Sequence, residues 1–383
     1  MSEKILNFCN ISGETVKKFE GVKKYIATGD IIDNKISSYS EVDYNNKPSR
    51  ANQIAKIGEV IFAKMKDTIK VITINSENSE YIYSTGFYII QPKESVLTEY
   101  LYWLFNSPKF NIDKNKYCKG ATQKALNNEG LSKIEINKLP DIKEQENIVY
   151  ELNEINEILN KKKEQLKALE ELIKSQFVEM FGNPVLNEKQ WKIELFGNLG
   201  SFKNGMNFNK SDNGYKIRFL GVGDFNKGTI IHNIETLDII DLKEKPSKEY
   251  MLEDKDIIFV RSNGSKELVG RSTLIDGIKD EITYSGFCIR YRKNTEEINT
   301  RYLIELFQNK EFFDYLKKDS RGANINNINQ QMLSNLKIIL PPIELQNKFA
   351  DFVKQIDKQK FEIENSLKEM QELYESLMEK YFG

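Results

Sequence analysis

The chain has 383 residues, 39% of them hydrophobic and 30% charged, with a formal net charge of −1, too long for one ordinary core and suited to two or three domains. No apolar run approaches the ~20 residues that span a bilayer, and Met1-Ser2-Glu3-Lys4 opens no signal peptide. Cys9, Cys118 and Cys288 lack paired or metal-like spacing, which points to a reducing cytoplasm, and the single His232 argues against a histidine-rich metal site or a histidine-based nucleophilic triad.

Residues 1–140 read as a mixed, mostly-β domain. Residues 69–74 and 81–90 are rich in β-branched and aromatic side chains and predict strands. Thr98–Asn106 predicts a short amphipathic helix whose Trp103, Leu104 and Phe105 belong to the core. Leu139-Pro140 then marks the entry to a long polar helix over residues 141–182. Its apolar positions are Ile148, Leu152, Ile155, Leu159, Leu166, Leu169, Ile173 and Met180, with Lys162 and Gln176 filling the gaps. Steps of four and three make a coiled-coil seam. Gly182-Asn183-Pro184 stops the helix.

Residues 183–342 repeat the plan. Phe196-Gly197-Asn198-Leu199 echoes Phe8-Cys9-Asn10-Ile11, and Val222-Gly223-Asp224 echoes Thr28-Gly29-Asp30. Asp256–Phe259 echoes Glu59–Phe62, Ser285-Gly286-Phe287 echoes Thr85-Gly86-Phe87, and Arg321-Gly322-Ala323 echoes Lys119-Gly120-Ala121. A second long helix fills residues 343–383. Its seam is Phe349, Val353, Ile356, Ile363, Leu367, Met370, Tyr374, Leu377 and Tyr381, with Lys360 as the polar interruption, and each position lies 201 residues after its partner. The expected fold is α+β: two mostly-β domains joined by two long helices in an antiparallel coiled coil, an internal repeat with pseudo-twofold character. Lys162 and Lys360 would help fix the register if packing brought each near an acid.

Charge divides along the same lines. Residues 141–180 carry a net −4 and residues 344–380 a net −3, whereas residues 1–140 carry +4 and 181–343 carry +2. Neither a phosphate loop nor a Gly-x-Gly-x-x-Gly fingerprint occurs, and no catalytic constellation stands out. Two matched pairs of loops are basic. Lys64 and Lys66 follow the apolar residues 60–62, as Arg261, Ser262 and Asn263 follow 257–259. Lys119, Gly120, Thr122, Gln123 and Lys124 match Arg321, Gly322 and Asn324. Glycine admits close approach to phosphate, and lysine or arginine neutralises it. Gln123 and Asn324 have the groups to pair with adenine, and Arg261 and Arg292 to pair with guanine. Arg50 is the one arginine of residues 1–140, against Arg218, Arg261, Arg271, Arg290, Arg292, Arg301 and Arg321 in the second half, which predicts more bidentate contacts there.

Gly120-Ala121-Thr122-Gln123, Leu139-Pro140 with Glu144-Gln145, and Phe177–Pro184 followed by Trp191 together resemble the specificity (S) subunit of type I restriction–modification systems. The second copies are Gly322-Ala323-Asn324, Leu340-Pro341-Pro342 with Gln346, and Tyr381-Phe382-Gly383. Asp141 and Leu345 depart from the usual proline and glutamate. The resemblance implies that residues 1–140 and 183–342 are target-recognition domains, each reading half of a gapped site in double-stranded DNA. It implies that the helices space the domains and dock two methyltransferase (M) subunits, with restriction/translocase (R) subunits joining the complex. It further implies no cofactor in this chain, with S-adenosylmethionine and ATP/Mg on the partner subunits, and no membrane association. The competing expectation from the residues alone is a coiled-coil protein-interaction scaffold.

Overall fold

The computed structural model describes residues 2–208, 214–226, 228–262, 264–265, 267–318 and 327–383. It forms two compact units, Met1–Glu164 with Ile363–Gly383, and Gln165–Glu362. Both are built from sheets and helices on one plan.

In the first unit an antiparallel sheet runs Val71–Thr73, Val60–Ala63, Phe87–Pro92, Cys9–Ser12. Its central strand Val60–Ala63 is wholly apolar and buried, as a strand covered on both faces must be. A second sheet runs Glu14–Thr15, Ala51–Ile54, Ile82–Ser84, Lys23–Ile26, Ser40–Val42, with one parallel pairing, Ile82–Ser84 on Lys23–Ile26. The stretch 81–90, expected as one strand, is therefore two strands in two sheets. The chain changes sheet at Thr85-Gly86, where the Gly86 N–H turns back to Ser84 Oγ (3.1 Å). Helix Thr98–Asn106 forms as expected, with Trp103, Leu104 and Phe105 buried.

In the second unit one sheet runs Gly200–Asn204, Cys288–Lys293, Ile257–Val260, Ser272–Ile275, Ile230–Ile231. A three-stranded sheet runs Asp238–Leu242, Tyr215–Leu220, Ile282–Tyr284, its last pairing parallel. Helix Thr300–Gln308 takes the place of Thr98–Asn106 and is capped by Asn299.

The long helices are Ile142–Phe181 and Ile343–Phe382, ~60 Å each at ~1.5 Å per residue. Their segments in the second unit run antiparallel: Glu170 pairs with Lys360 (3.3 Å), while Phe177, further along the first helix, packs on Phe349, earlier in the second (5.6 Å between rings). Lys360 thus meets an acid at the seam. Lys162 is half-buried and has no acidic partner among the described residues. The seam departs from expectation in its last turns. After Ile173 the buried positions are Phe177 and Phe181, with Met180 half-buried; Met378 and Phe382 replace Leu377 and Tyr381 in the same way. There the apolar face also reaches the short helix of a globular part: Phe181 packs on Tyr302 as well as on Phe349 of the other helix, and Phe382 packs on Tyr100.

Backbone pairing revises two of the sequence echoes. Ile5 N–H donates to Ile134 O and Phe196 N–H to Leu336 O, so Phe196 corresponds to Ile5 and not to Phe8. Ser84 and Ser285 each accept from the amide two residues on, so Gly86 corresponds to Phe287 and Phe87 to Cys288. The strand register agrees, Phe87 lying opposite Ala63 and Cys288 opposite Val260.

The matched core also holds two glutamines. Gln145 and Gln346, each fully buried at the start of a long helix, clamp the loop ahead of the short helix. Gln145 accepts from Leu97 N–H (2.9 Å) and donates to Ser95 O (2.9 Å) and Pro140 O (2.8 Å). Gln346 accepts from Asn299 N–H (2.9 Å) and donates to Glu297 O (3.0 Å) and Pro341 O (2.8 Å). At the other end of the first long helix the carbonyls that a helix leaves unpaired are all taken. Gly182 N–H reaches Val178 O, Lys189 Nζ reaches Glu179 O and Met180 O, and Trp191 Nε1 reaches Phe181 O (2.9 Å).

Candidate nucleic-acid interface

The buried strand Val60–Ala63 delivers Lys64 to the edge of the first unit. Lys64 N–H donates to Gly86 O (2.9 Å), its carbonyl accepts from Leu126 N–H (2.9 Å), and its Nζ donates to Thr85 O (2.9 Å). The ammonium lies 4.4 Å from the centre of the Tyr88 ring, and burial pushes its pKa down. In the second unit the buried strand Ile257–Val260 delivers Arg261 into the same frame. Arg261 N–H donates to Phe287 O (2.8 Å), its carbonyl accepts from Ile328 N–H (2.9 Å), and its Nη1 reaches Gly286 O (3.5 Å). Main chain and cationic head group are therefore held alike at both positions. An isolated bridge follows in each unit, Met65 to Ala125 and Ser262 to Asn327.

That bridge sets the second loop of the first unit beside Lys64. Lys119 and Ala125 exchange both main-chain hydrogen bonds (2.9 and 3.0 Å), and Lys66 N–H donates to Lys124 O (2.9 Å). The turn needs a glycine: Gly120 has φ +137°, and a Cβ there would lie 2.4 Å from the Gln123 carbonyl. Lys66, Lys119, Gly120, Thr122, Gln123 and Lys124 are exposed and lie on one short run of paired backbone. Lys119 is held by Glu129 (3.0 Å), which also binds Lys133 (2.6 Å); the two ammonium groups hold the Glu129 carboxyl well below the usual range.

Asn263, Arg321, Gly322 and Asn324 lie outside the described residues. Arg292 does not face outward to a guanine. Its Nε and Nη2 make a two-pronged pair with Asp256 (2.8 and 2.7 Å), Nη1 pairs with Glu253 (2.6 Å), and Nη2 also reaches Met251 O (3.1 Å). Burial pushes the Asp256 carboxyl up and Arg292 pulls it back. Other arginines of the second half are likewise taken inside. Arg290 binds Glu249 O and Met251 O, Arg218 binds Leu237 O, and Arg301 pairs with Asp357 (2.7 Å). Arg218, Arg290, Arg292 and Arg301 are thus engaged within the protein, while Arg261 stays at the edge and Arg271 is exposed.

Lys114 was not anticipated. It is 2% exposed, its Nζ donates to Thr68 O, and burial lowers its pKa to about 8. With Asn115, which exchanges two hydrogen bonds with Asp67, it pins the loop that carries Lys66. A lysine in a helix of low amphipathicity leaves no trace of this in sequence. Among the described residues no group of three or more His, Cys, Asp or Glu side chains is placed to hold a metal, and no helix is long and apolar enough to cross a membrane.

The family model of the type I restriction modification DNA specificity domain matches residues 4–171 and again 188–373. A specificity subunit of the type I restriction enzyme StySPI from Salmonella potsdam is 32% identical over 187 residues, 47% of this chain and 39% of that protein. The MjaIX specificity subunit of Methanocaldococcus jannaschii is 28% identical over 200 residues, 47% of this chain and 45% of that protein. The matched stretch thus spans less than half the length of either relative. Among solved structures, a chain of a type I R-M system is similar over 100% of this chain and 97% of its own, at 20% identity and TM-score 0.62. The type I restriction-modification S subunit of M. genitalium is similar over 100% and 96%, at 14% identity and TM-score 0.60. Both are likenesses of fold.

Proposed function

Because the chain belongs to the type I restriction modification DNA specificity family, we propose that it is a non-catalytic DNA-recognition subunit whose two globular parts each read one half of a gapped site. The observation that carries this is the duplicated frame around Lys64 and Arg261. In each unit a buried strand ends on a cation whose main chain and head group are fixed before any ligand arrives. A second loop is bridged to it; in the first unit Lys66 lies on the cation's own loop and the second loop adds Lys119 and Lys124. Preset cations position a phosphate backbone, while the exposed Thr122 and Gln123 offer hydrogen bonds to base edges. The partners on this reading are two methyltransferase subunits, which bring S-adenosylmethionine, and an ATP-driven restriction subunit; the long helices provide their docking surface and the spacing between half-sites.

The test is co-expression with the neighbouring methyltransferase gene and mapping of methylated adenines. A two-part motif is expected, and exchanging residues 1–140 for those of a relative changes one part alone. Methylation that does not depend on this chain would sink the proposal. Replacing Lys66 and Lys124 by alanine is expected to weaken binding on all sequences and to flatten the salt dependence by about one unit of slope for each phosphate that is no longer neutralised.

A further inference from the structure

The turn Ser285–Cys288 carries an aromatic side chain that the fold does not need. Phe287 is 59% exposed. Its structural counterpart is Gly86, so the first unit makes the same turn with no side chain there. The turn is rigidly held: Phe287 N–H donates to Ser285 Oγ (3.2 Å), its carbonyl accepts from Arg261 N–H (2.8 Å), and Gly286 N–H donates to Met206 O (2.8 Å). The ring therefore stands out beside the cation of the candidate interface. It borders an open cavity of about 560 Å³ with Met206, Phe208, Phe219, Val222 and Ser262. Phe208 and Phe219 meet edge to face at 4.6 Å, giving the cavity a firm apolar wall.

We propose that Phe287, with this wall, reads a thymine through its 5-methyl group in the half-site of the second recognition domain. The inference rests on the DNA-recognition reading above and goes beyond it by naming a base and a residue. A polyanion drawn in by Arg261 presents mostly polar groups, which an aromatic wall does not recognise. The apolar group that duplex DNA projects into its major groove is the thymine methyl. With Gly86 at the matching place, the first recognition domain lacks this contact.

The test uses the full chain in complex with its methyltransferase subunit, as wild type, Phe287→Gly and Phe287→Ser, each first shown to keep the wild-type thermal transition. Methylated adenines are mapped, and affinity is measured on duplexes carrying the mapped motif with thymine or with uracil, which lacks the methyl. Uracil at one position of the second half-site is expected to weaken wild-type binding roughly fourfold, the value of one buried methyl group, and to leave both variants unaffected. The variants are also expected to accept cytosine there, with the first half-site unchanged. An unchanged motif in the variants, or the same response to uracil in all three proteins, overturns the inference. So does brightening of a neighbouring 2-aminopurine by wild type alone, which would make the ring a wedge between base pairs. Absence of any chain-dependent motif is a separate result, and it would overturn the DNA-recognition reading itself.

Discussion

The two buried glutamines give a stability prediction with its own internal control. Gln145→Met keeps the side chain's length and removes three hydrogen bonds, to Leu97 N–H, Ser95 O and Pro140 O. The residue is fully buried, so its place stays closed to water. An orphaned buried donor costs about 1–3 kcal/mol, while carbonyls near the surface regain part of their loss from solvent. About 2–3 kcal/mol is expected overall. That corresponds to roughly 30- to 160-fold faster hydrogen exchange where exchange proceeds through local opening, read in peptides covering Thr98–Asn106. The same change at Gln346 is expected to act on Thr300–Gln308. Each substitution is expected to leave the other unit's exchange unaltered. Exchange unchanged within twofold at the clamped helix, or equal acceleration in both units, would refute the claim that the glutamines hold the helix starts.

Arg292→Met strands the Asp256 carboxylate inside the second unit, where removing one partner of a buried pair costs about 3–5 kcal/mol; adding Asp256→Asn is expected to restore much of the loss in calorimetry. Lys114 gives a pH dependence. Its folded pKa of about 8 lies below the ordinary 10.5, so the unfolded chain holds more protons between those values. Burial of the charge therefore costs stability in full below about pH 8, and the cost is relieved as pH rises towards 10.5. Relative to Lys114→Met, wild-type stability is expected to climb across that window by about 3 kcal/mol in all, and a parallel pair of curves would contradict the assignment. Trp191→Phe removes the indole N–H from the Phe181 carbonyl and is expected to cost about 1 kcal/mol, measured by denaturant unfolding.

Much of the architecture is legible in sequence because it is periodic and duplicated. The seam residues Ile148, Leu152, Ile155 and Leu159 are buried where the heptad period puts them. The reading slips at Met180 and Leu377 because the last turns also pack on a short helix, Phe181 on Tyr302 and Phe382 on Tyr100, and periodicity carries no record of what a helix packs against. The placement of Lys64 and Arg261 is readable from the apolar strands ahead of them. The match of Gly86 to Gly286 misleads for a different reason. Identical letters invite one register, while hydrogen bonds to Ser84 and Ser285 impose another, and the exposed Phe287 is invisible until that shift is made. Arg292 is misread because its partner Asp256 is 36 residues away and has the look of an ordinary polar turn.

The packing of Phe382 on Tyr100 and the burial of Met378 bear on the order in which the chain matures. The second unit is one continuous stretch, Gln165–Glu362, and all of its core is available once residue 362 has been made. The first unit begins earlier on the ribosome but takes its closing side chains from Ile363–Gly383. At ~5–20 residues per second, Tyr100 and its apolar neighbours stay uncovered for roughly tens of seconds after they are synthesised. The half of the protein made first is thus the half completed last.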